Sequence, residues 1–165
     1  MRYLFVDRVL QLHRGERILA VRGVSGNESY FQMHFPSQPV MPGALLIECF
    51  AQAGSFLLEV SSGFRHKALP IFIRDAKFRR PVRPGPEMRI SLAVEQQQGE
   101  SAVLSGEITQ AGVVCATATI GFAGLPVEGF YGAALPVVRS LYASWMEGAE
   151  LHGFDRHPLE SLGHG

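Results

Sequence analysis

Charge is scarce in this sequence, and what there is cancels. Charged residues make up 18% of the chain, with fifteen Lys and Arg against fifteen Asp and Glu. A neutral chain has no general field for holding nucleic acid, so that class of partner is set aside. Cysteine is nearly absent: Cys49 and Cys115 are the only two. Both sit in apolar stretches, which suits two buried thiols better than a disulfide framework or a metal site. No apolar run is clean enough for a membrane span, because Glu48, Gln52 and Gly54 interrupt the longest. The start, Met1 to Asp7, is too short and too soon charged for a signal peptide. A cytoplasmic, reducing location is the expectation that follows. The chain has neither an internal repeat nor a low-complexity segment.

What is present is apolar. Hydrophobic residues make up 47% of 165 residues, enough for a sizeable core. Val9 to Leu12 and Ile18 to Val24 read as strands around a turn at His13-Arg14-Gly15-Glu16. Asn27 to Pro42 holds three prolines and predicts a loop with little regular structure. Pro42-Gly43 then opens a helix to about Val60, with Leu45, Leu46, Cys49, Ala53, Phe56, Leu57 and Val60 at helical spacing. Four strands follow, at Ile71 to Phe78, Met88 to Gln97, Ala102 to Thr109 and Val113 to Phe122. Such an apolar helix needs a sheet around it, so the fold class is α+β. From Gly124 to Pro136 the chain reads as a linker. Val137 to Leu151 reads as a second helix, with Val138, Leu141, Tyr142, Trp145 and Ala149 on one face. The division expected is 1–123 for the main domain and 124–165 for a linker and helical extension.

Two residues stand out chemically. Glu48 is the only acid or base between Gly43 and Leu58, cysteine aside. It could belong to a narrow solvent-facing stripe with Gln52, Ser55 and Glu59. It could equally serve chemistry. The helix start leaves backbone N–H groups unpaired, and Gly43 lets a carbonyl come close. Gln52, one turn beyond Glu48, could hold its carboxyl. His34 precedes the helix in the Pro-rich loop. A lone loop histidine is most often a surface group, but Tyr30, Phe31, Met33 and Phe35 around it suggest a packed loop. A His and a Glu together can run acid and base steps near neutral pH. His13, His66, His152, His157 and His164 lie in turns, loops or the tail, and no metal site is expected among them. Arg74, Lys77, Arg79, Arg80 and Arg83, with one acid among them, read either as a charge-protected strand edge or as a docking patch for an acidic partner.

His34-Phe35-Pro36, Pro42-Gly43 and Glu48-Cys49-Phe50-Ala51-Gln52 together resemble the 3-hydroxyacyl-[acyl carrier protein] dehydratases of the hot-dog superfamily, the FabZ type. The fourteen-residue step from His34 to Glu48 matches that family's spacing. Phe5 to Val9, Asn27-Glu28 with Phe31-Gln32, and Ala76 to Val82 with Pro84-Gly85 extend the resemblance over residues 4 to 123. The FabA type carries Asp where Glu48 stands and resembles the chain less. The resemblance implies an antiparallel sheet wrapped around the central helix, and a homodimer, with a larger assembly of dimers left open. It implies His34 and the Glu48 of a second subunit as catalytic pair, with Gly43 polarising the thioester and Gln52 orienting Glu48. No metal or organic cofactor is implied, since the substrate rides on the phosphopantetheine of acyl carrier protein. An acidic carrier suits the patch from Arg74 to Arg83. The chain departs from the family at Met33, Ser37, Ala44, Cys49 and Ile71-Phe72, and Met33 and Phe72 are bulky enough to reshape the acyl tunnel. The tail from Gly124 lies outside the usual short dehydratase. These changes favour a specialised lipid, polyketide or polyene pathway beside ordinary fatty-acid synthesis. A hot-dog thioesterase using Glu48 to activate water, and a non-catalytic carrier-binding subunit, are the alternatives.

Overall fold

Short turns between apolar, alternating segments build a single sheet. The computed structural model describes residues 3–158. Its strands are β1 Arg8–His13, β2 Arg17–Arg22, β3 His66–Phe78, β4 Met88–Gln98, β5 Ser101–Gln110, β6 Val113–Pro126 and β7 Glu150–His152. They lie in the order β3-β6-β5-β4-β2-β1-β7. Every neighbouring pair is antiparallel except β1 with β7. Two-residue connections at Gly99-Glu100 and Ala111-Gly112 close the β4–β5 and β5–β6 hairpins. The strand readings hold for β1, β2, β4 and β5. β3 begins earlier than Ile71, at His66, because its first half pairs with a longer β6.

The helix α1, Gly43–Ser61, lies in the curve of this sheet as the hot-dog architecture requires. Phe50, Phe56 and Leu57 of α1 are buried with Ile90 and Leu92 of β4, Leu104 of β5 and Ile120 of β6. Each such side chain stabilises the fold by about 1.5–3 kcal/mol relative to exposure. Gly54 lets the helix come close to the sheet: a Cβ there would stand 2.5 Å from the Phe122 ring. α1 is long and apolar enough to cross a membrane, but most of it is buried inside the protein. Cys49 and Cys115 are both free and buried, as expected of structural thiols.

Three expectations are corrected. Ser55 and Glu59 are buried, so the polar stripe of α1 does not simply face solvent. Gly124 to Pro136 is no linker: β6 runs to Pro126, a short helix α2 follows at Val127–Tyr131, and a 3-10 turn spans Gly132–Ala134. The last helix, α3, spans Leu135–Trp145, not Val137 to Leu151. Leu151 instead sits in β7, which pairs in parallel with β1. The loop from Asn27 to Pro42 holds one 3-10 turn, Ser29–Gln32. Tyr142, Trp145 and Met146 are buried in the core, so α3 lies against the sheet-and-helix body.

Candidate active site

Glu48 is held by a chain of backbone contacts that begins at Arg22. The buried Arg22 guanidinium donates to the Leu4 carbonyl at 2.8 Å, to Asp7 Oδ1 at 3.0 Å, and to Glu28. This fixes the segment before β1. That segment in turn grips Gln52: the Phe5 N–H donates to Gln52 Oε1 at 2.7 Å, and Gln52 Nε2 donates to the Tyr3 carbonyl at 2.8 Å. The amide is therefore locked one way round. Its Nε2 also donates to Glu48 Oε1 at 2.8 Å. Among the described residues Glu48 Oε2 accepts no hydrogen bond, and Glu48 and Gln52 both line a cavity of about 280 Å³ between α1, β3 and α3.

The helix start has no side-chain cap. The Pro42 carbonyl takes the Leu45 N–H at 2.9 Å. The Gly43 amide lies before that first helical bond, where a helix N–H has no intrahelical acceptor. The Phe78 ring closes over this end, with the position of a Gly43 Cβ only 3.0 Å from its tip. Only a glycine fits there without displacing the ring.

His34 is positioned by its own loop. Its N–H donates to the Tyr30 carbonyl at 3.0 Å, and its carbonyl accepts from the Val40 N–H at 3.1 Å. Its Nδ1 lies 3.1 Å from the Val40 carbonyl. A carbonyl can only accept, so Nδ1 carries the hydrogen and the neutral ring presents a bare Nε2 lone pair. That is the tautomer a general base needs. The loop packs less than expected: Phe31 is buried, but Met33 is 84% exposed and Phe35 is 56% exposed. Among the described residues no hydrogen bond joins His34 to Glu48 or Gln52, and His34 does not line the Glu48 cavity.

The five basic residues are all exposed. Arg74 pairs loosely with Asp75 at 3.5 Å. Arg83 lies in the loop after β3 and donates to Gln38 Oε1 at 3.1 Å, while the Met41 N–H donates to the Val82 carbonyl at 2.9 Å. The end of the patch is thus fastened to the His34 loop.

Sequence reasoning missed the far end of the same helix face. Glu59 is 1% exposed. Its Oε1 accepts from Lys67 Nζ at 2.6 Å and from the Ala68 N–H at 3.3 Å. Its Oε2 accepts from the Tyr131 hydroxyl at 3.1 Å and the Tyr142 hydroxyl at 3.0 Å. Burial raises its pKa above the ordinary carboxylate value, although the Lys67 charge and the hydrogen bonds from Lys67, Tyr142 and Tyr131 pull the other way. Nothing in the spacing of Glu59 announces partners from Tyr131 and Tyr142. Among the described residues no group of three or more His, Cys, Asp or Glu side chains could hold a metal ion; His164 lies outside those residues.

The FabA-like domain model matches residues 1–119. The FabZ 3-hydroxyacyl-[acyl-carrier-protein] dehydratase of Symbiobacterium thermophilum is 40% identical over 123 residues, covering 73% of this chain and 86% of that one. That of Lactiplantibacillus plantarum is 45% identical over 103 residues, covering 62% and 70%. The chain belongs to the FabA-like family, on its FabZ side. A Streptococcus mutans protein bound to acetyl CoA aligns with a TM-score of 0.61 at 12% identity, over 76% of this chain and 94% of that one. A conserved Pseudomonas aeruginosa protein aligns at 0.59 with 19% identity, over 72% and 87%. Those two likenesses establish the fold. The family model stops before α2 and α3, so the two tyrosines on Glu59 and one wall of the Glu48 cavity come from outside it.

Proposed function

We propose that this chain dehydrates 3-hydroxyacyl thioesters, carried on acyl carrier protein, to trans-2-enoyl thioesters. The observation that carries the reading is the Glu48 carboxyl, anchored on one oxygen by Gln52 and open to a cavity on the other side. His34 Nε2 removes the α-proton. Negative charge develops on the thioester oxygen, where the Gly43 N–H receives it. Glu48 gives its proton to the departing hydroxyl, which leaves as water. His34 then holds one proton too many and Glu48 one too few, and exchange with water restores both. None of these steps calls on a metal or organic cofactor.

The reading places His34 of one subunit beside Glu48 of the partner subunit. Two features support a homodimer. β3 is an edge strand, with Ile71, Phe72, Ile73 and Phe78 exposed on it. Met33 and Phe35 next to His34 are exposed as well. Long apolar edges of this kind are normally covered. Arg74, Lys77, Arg79, Arg80 and Arg83 serve as the landing site for an acidic carrier, beside the loop that bears His34. Residues 1–123 form the catalytic domain and the chain from 124 an accessory layer. Free buried thiols suit the cytoplasm.

The test is turnover of carrier-linked 3-hydroxyacyl or enoyl substrates by His34→Ala and Glu48→Gln proteins. Each should lose most activity while keeping its fold. Near-normal turnover in either would overturn the mechanism, and hydrolysis of saturated acyl thioesters by the unmodified protein would favour a thioesterase.

A further inference from the structure

The cavity beside Glu48 has a wall that the family domain does not provide. Its floor follows α1 from Glu48 through Ala51 and Gln52 to Ser55, about 10 Å of helix at 1.5 Å per residue. Leu69 and Pro70 of β3 line it, and so do Leu141, Tyr142 and Trp145 of α3. At about 280 Å³ it falls just below the usual range for ligand pockets, about 300–1,000 Å³. Its wall is also fixed. Tyr131 and Tyr142 both donate to the buried Glu59 carboxylate, and Lys67 closes the cluster from β3. Phe56, Tyr142 and Trp145 pack with ring centroids 4.7–5.6 Å apart.

We propose that this cavity takes the far end of the acyl chain and that Leu141 and Trp145, from the C-terminal extension, set the longest chain accepted. The inference rests on the dehydratase reading only for the chemistry at Glu48. Continuity with Glu48 and an apolar lining suit the cavity to an acyl chain. The cavity begins at the carboxyl that would meet the 3-hydroxyl, and the chain beyond that carbon is hydrocarbon. Leu69, Leu141 and Trp145 offer it an apolar surface, and the polar groups at the far end are already paired with Glu59. A pinned wall cannot recede for a longer guest. The limit on length is therefore built in by α3, which the short relatives' shared domain lacks.

Trp145 is the only tryptophan in the chain, so the site carries its own reporter. Saturated acyl-pantetheine thioesters of increasing length should change its fluorescence, with affinity rising and then falling sharply past one length. Leu141→Phe should move that limit to shorter chains and Leu141→Ala to longer ones. In each variant the ratio of kcat/KM for a long over a short enoyl substrate should shift by roughly 10–200-fold, the range for a methylene gained or lost in an apolar pocket. Unchanged length preference in both folded variants would overturn the proposal. If the variants fail to fold, the unmodified protein decides: no length-dependent response of Trp145 would overturn it equally. Length-dependent binding without any enoyl turnover would keep the acyl site and remove the dehydratase reading. Turnover with neither fluorescence response nor altered length preference would do the reverse.

Discussion

Glu48 and Glu59 stand on the same face of the same helix, eleven residues apart, about 16 Å along the axis. They have opposite lives. Among the described residues Glu48 accepts one side-chain hydrogen bond, and it lines a cavity. Glu59 accepts four and is closed off. A carboxylate whose acceptor positions are all filled has no room for a substrate proton. One that keeps an oxygen free, and is held still by the other, can take part in chemistry. Burial alone would have picked the wrong one.

The sharpest way to break this contrast is to make the same change at both positions. Glu48→Gln should cut turnover by about 10²–10⁴-fold, the usual contribution of a general acid, with little change in Tm. Glu59→Gln should do the opposite. It removes the partner of a nearly buried ammonium, and breaking such a pair costs about 3–5 kcal/mol. A thermal melt and a turnover assay on both proteins check it. Comparable stability losses at both sites would end the distinction.

The next effect is recovery rather than loss. If His34 and Glu48 meet across two subunits, mixing inactive His34→Ala and Glu48→Gln proteins should restore one intact site per heterodimer. Each heterodimer has one intact site of two, so equal mixing with random exchange should return about a quarter of the unmodified level. No recovery despite demonstrated subunit exchange would put both groups to work within one chain.

Much of the Glu48 half was legible in the sequence, and little of the Glu59 half was. The helix start at Pro42-Gly43, the step to Gln52 and the His34 loop are local signals, set by backbone geometry and spacing. The Arg22 relay joins Asp7 and Glu28, two positions within the motifs that carried the resemblance. Its reach to Gln52 through the backbone of residues 3–5 could not be read from spacing. At the other end, Glu59 depends on residues 72 and 83 positions away. Gly124 and Pro126 imitate a linker because β6 is paired there only with the first half of β3, itself hidden by Arg65, His66, Lys67 and Pro70. The end of α3 did leave a trace. Gly148, with φ 75°, stops the helical run before β7 begins.

Alkaline pH should separate the two halves by a smaller margin. Burial pulls the Lys67 ammonium down, but Glu59 at 2.6 Å and the Tyr131 hydroxyl push harder, and the net shift is above the ordinary 10.5. Burial and the Glu59 charge raise Tyr131, and raise Tyr142 well above 10.0. A group raised in the folded state gives stability that is complete below its unfolded value. That stability is lost as pH rises through the folded value. The Glu59–Lys67 pair, onto which Tyr131 and Tyr142 fasten the extension, therefore contributes fully up to about pH 10.5 and loses that contribution as pH rises further. Trp145 emission should shift to the red in that range and not between pH 6 and 9. A shift centred near neutrality would mean that another group fastens α3.

The smallest effect belongs to the basic surface, which neither carboxylate touches. Arg79 and Arg80 are exposed, and their backbone amides, not their side chains, hold the end of β3 to the Cys115 carbonyl at 2.7 and 3.1 Å. Changing both to Glu should therefore leave Tm nearly unaltered. Exposed charges act over about a Debye length, roughly 10 Å at 0.1 M salt, and mainly alter encounter. The apparent KM for carrier-linked substrate should rise several-fold, and the rise should shrink as salt is added. A small pantetheine thioester has no acidic body to be steered, and its KM should barely move. Equal losses on both substrates would show that the charge reversal disturbs the neighbouring loop, where Arg83 holds Gln38, and not the carrier.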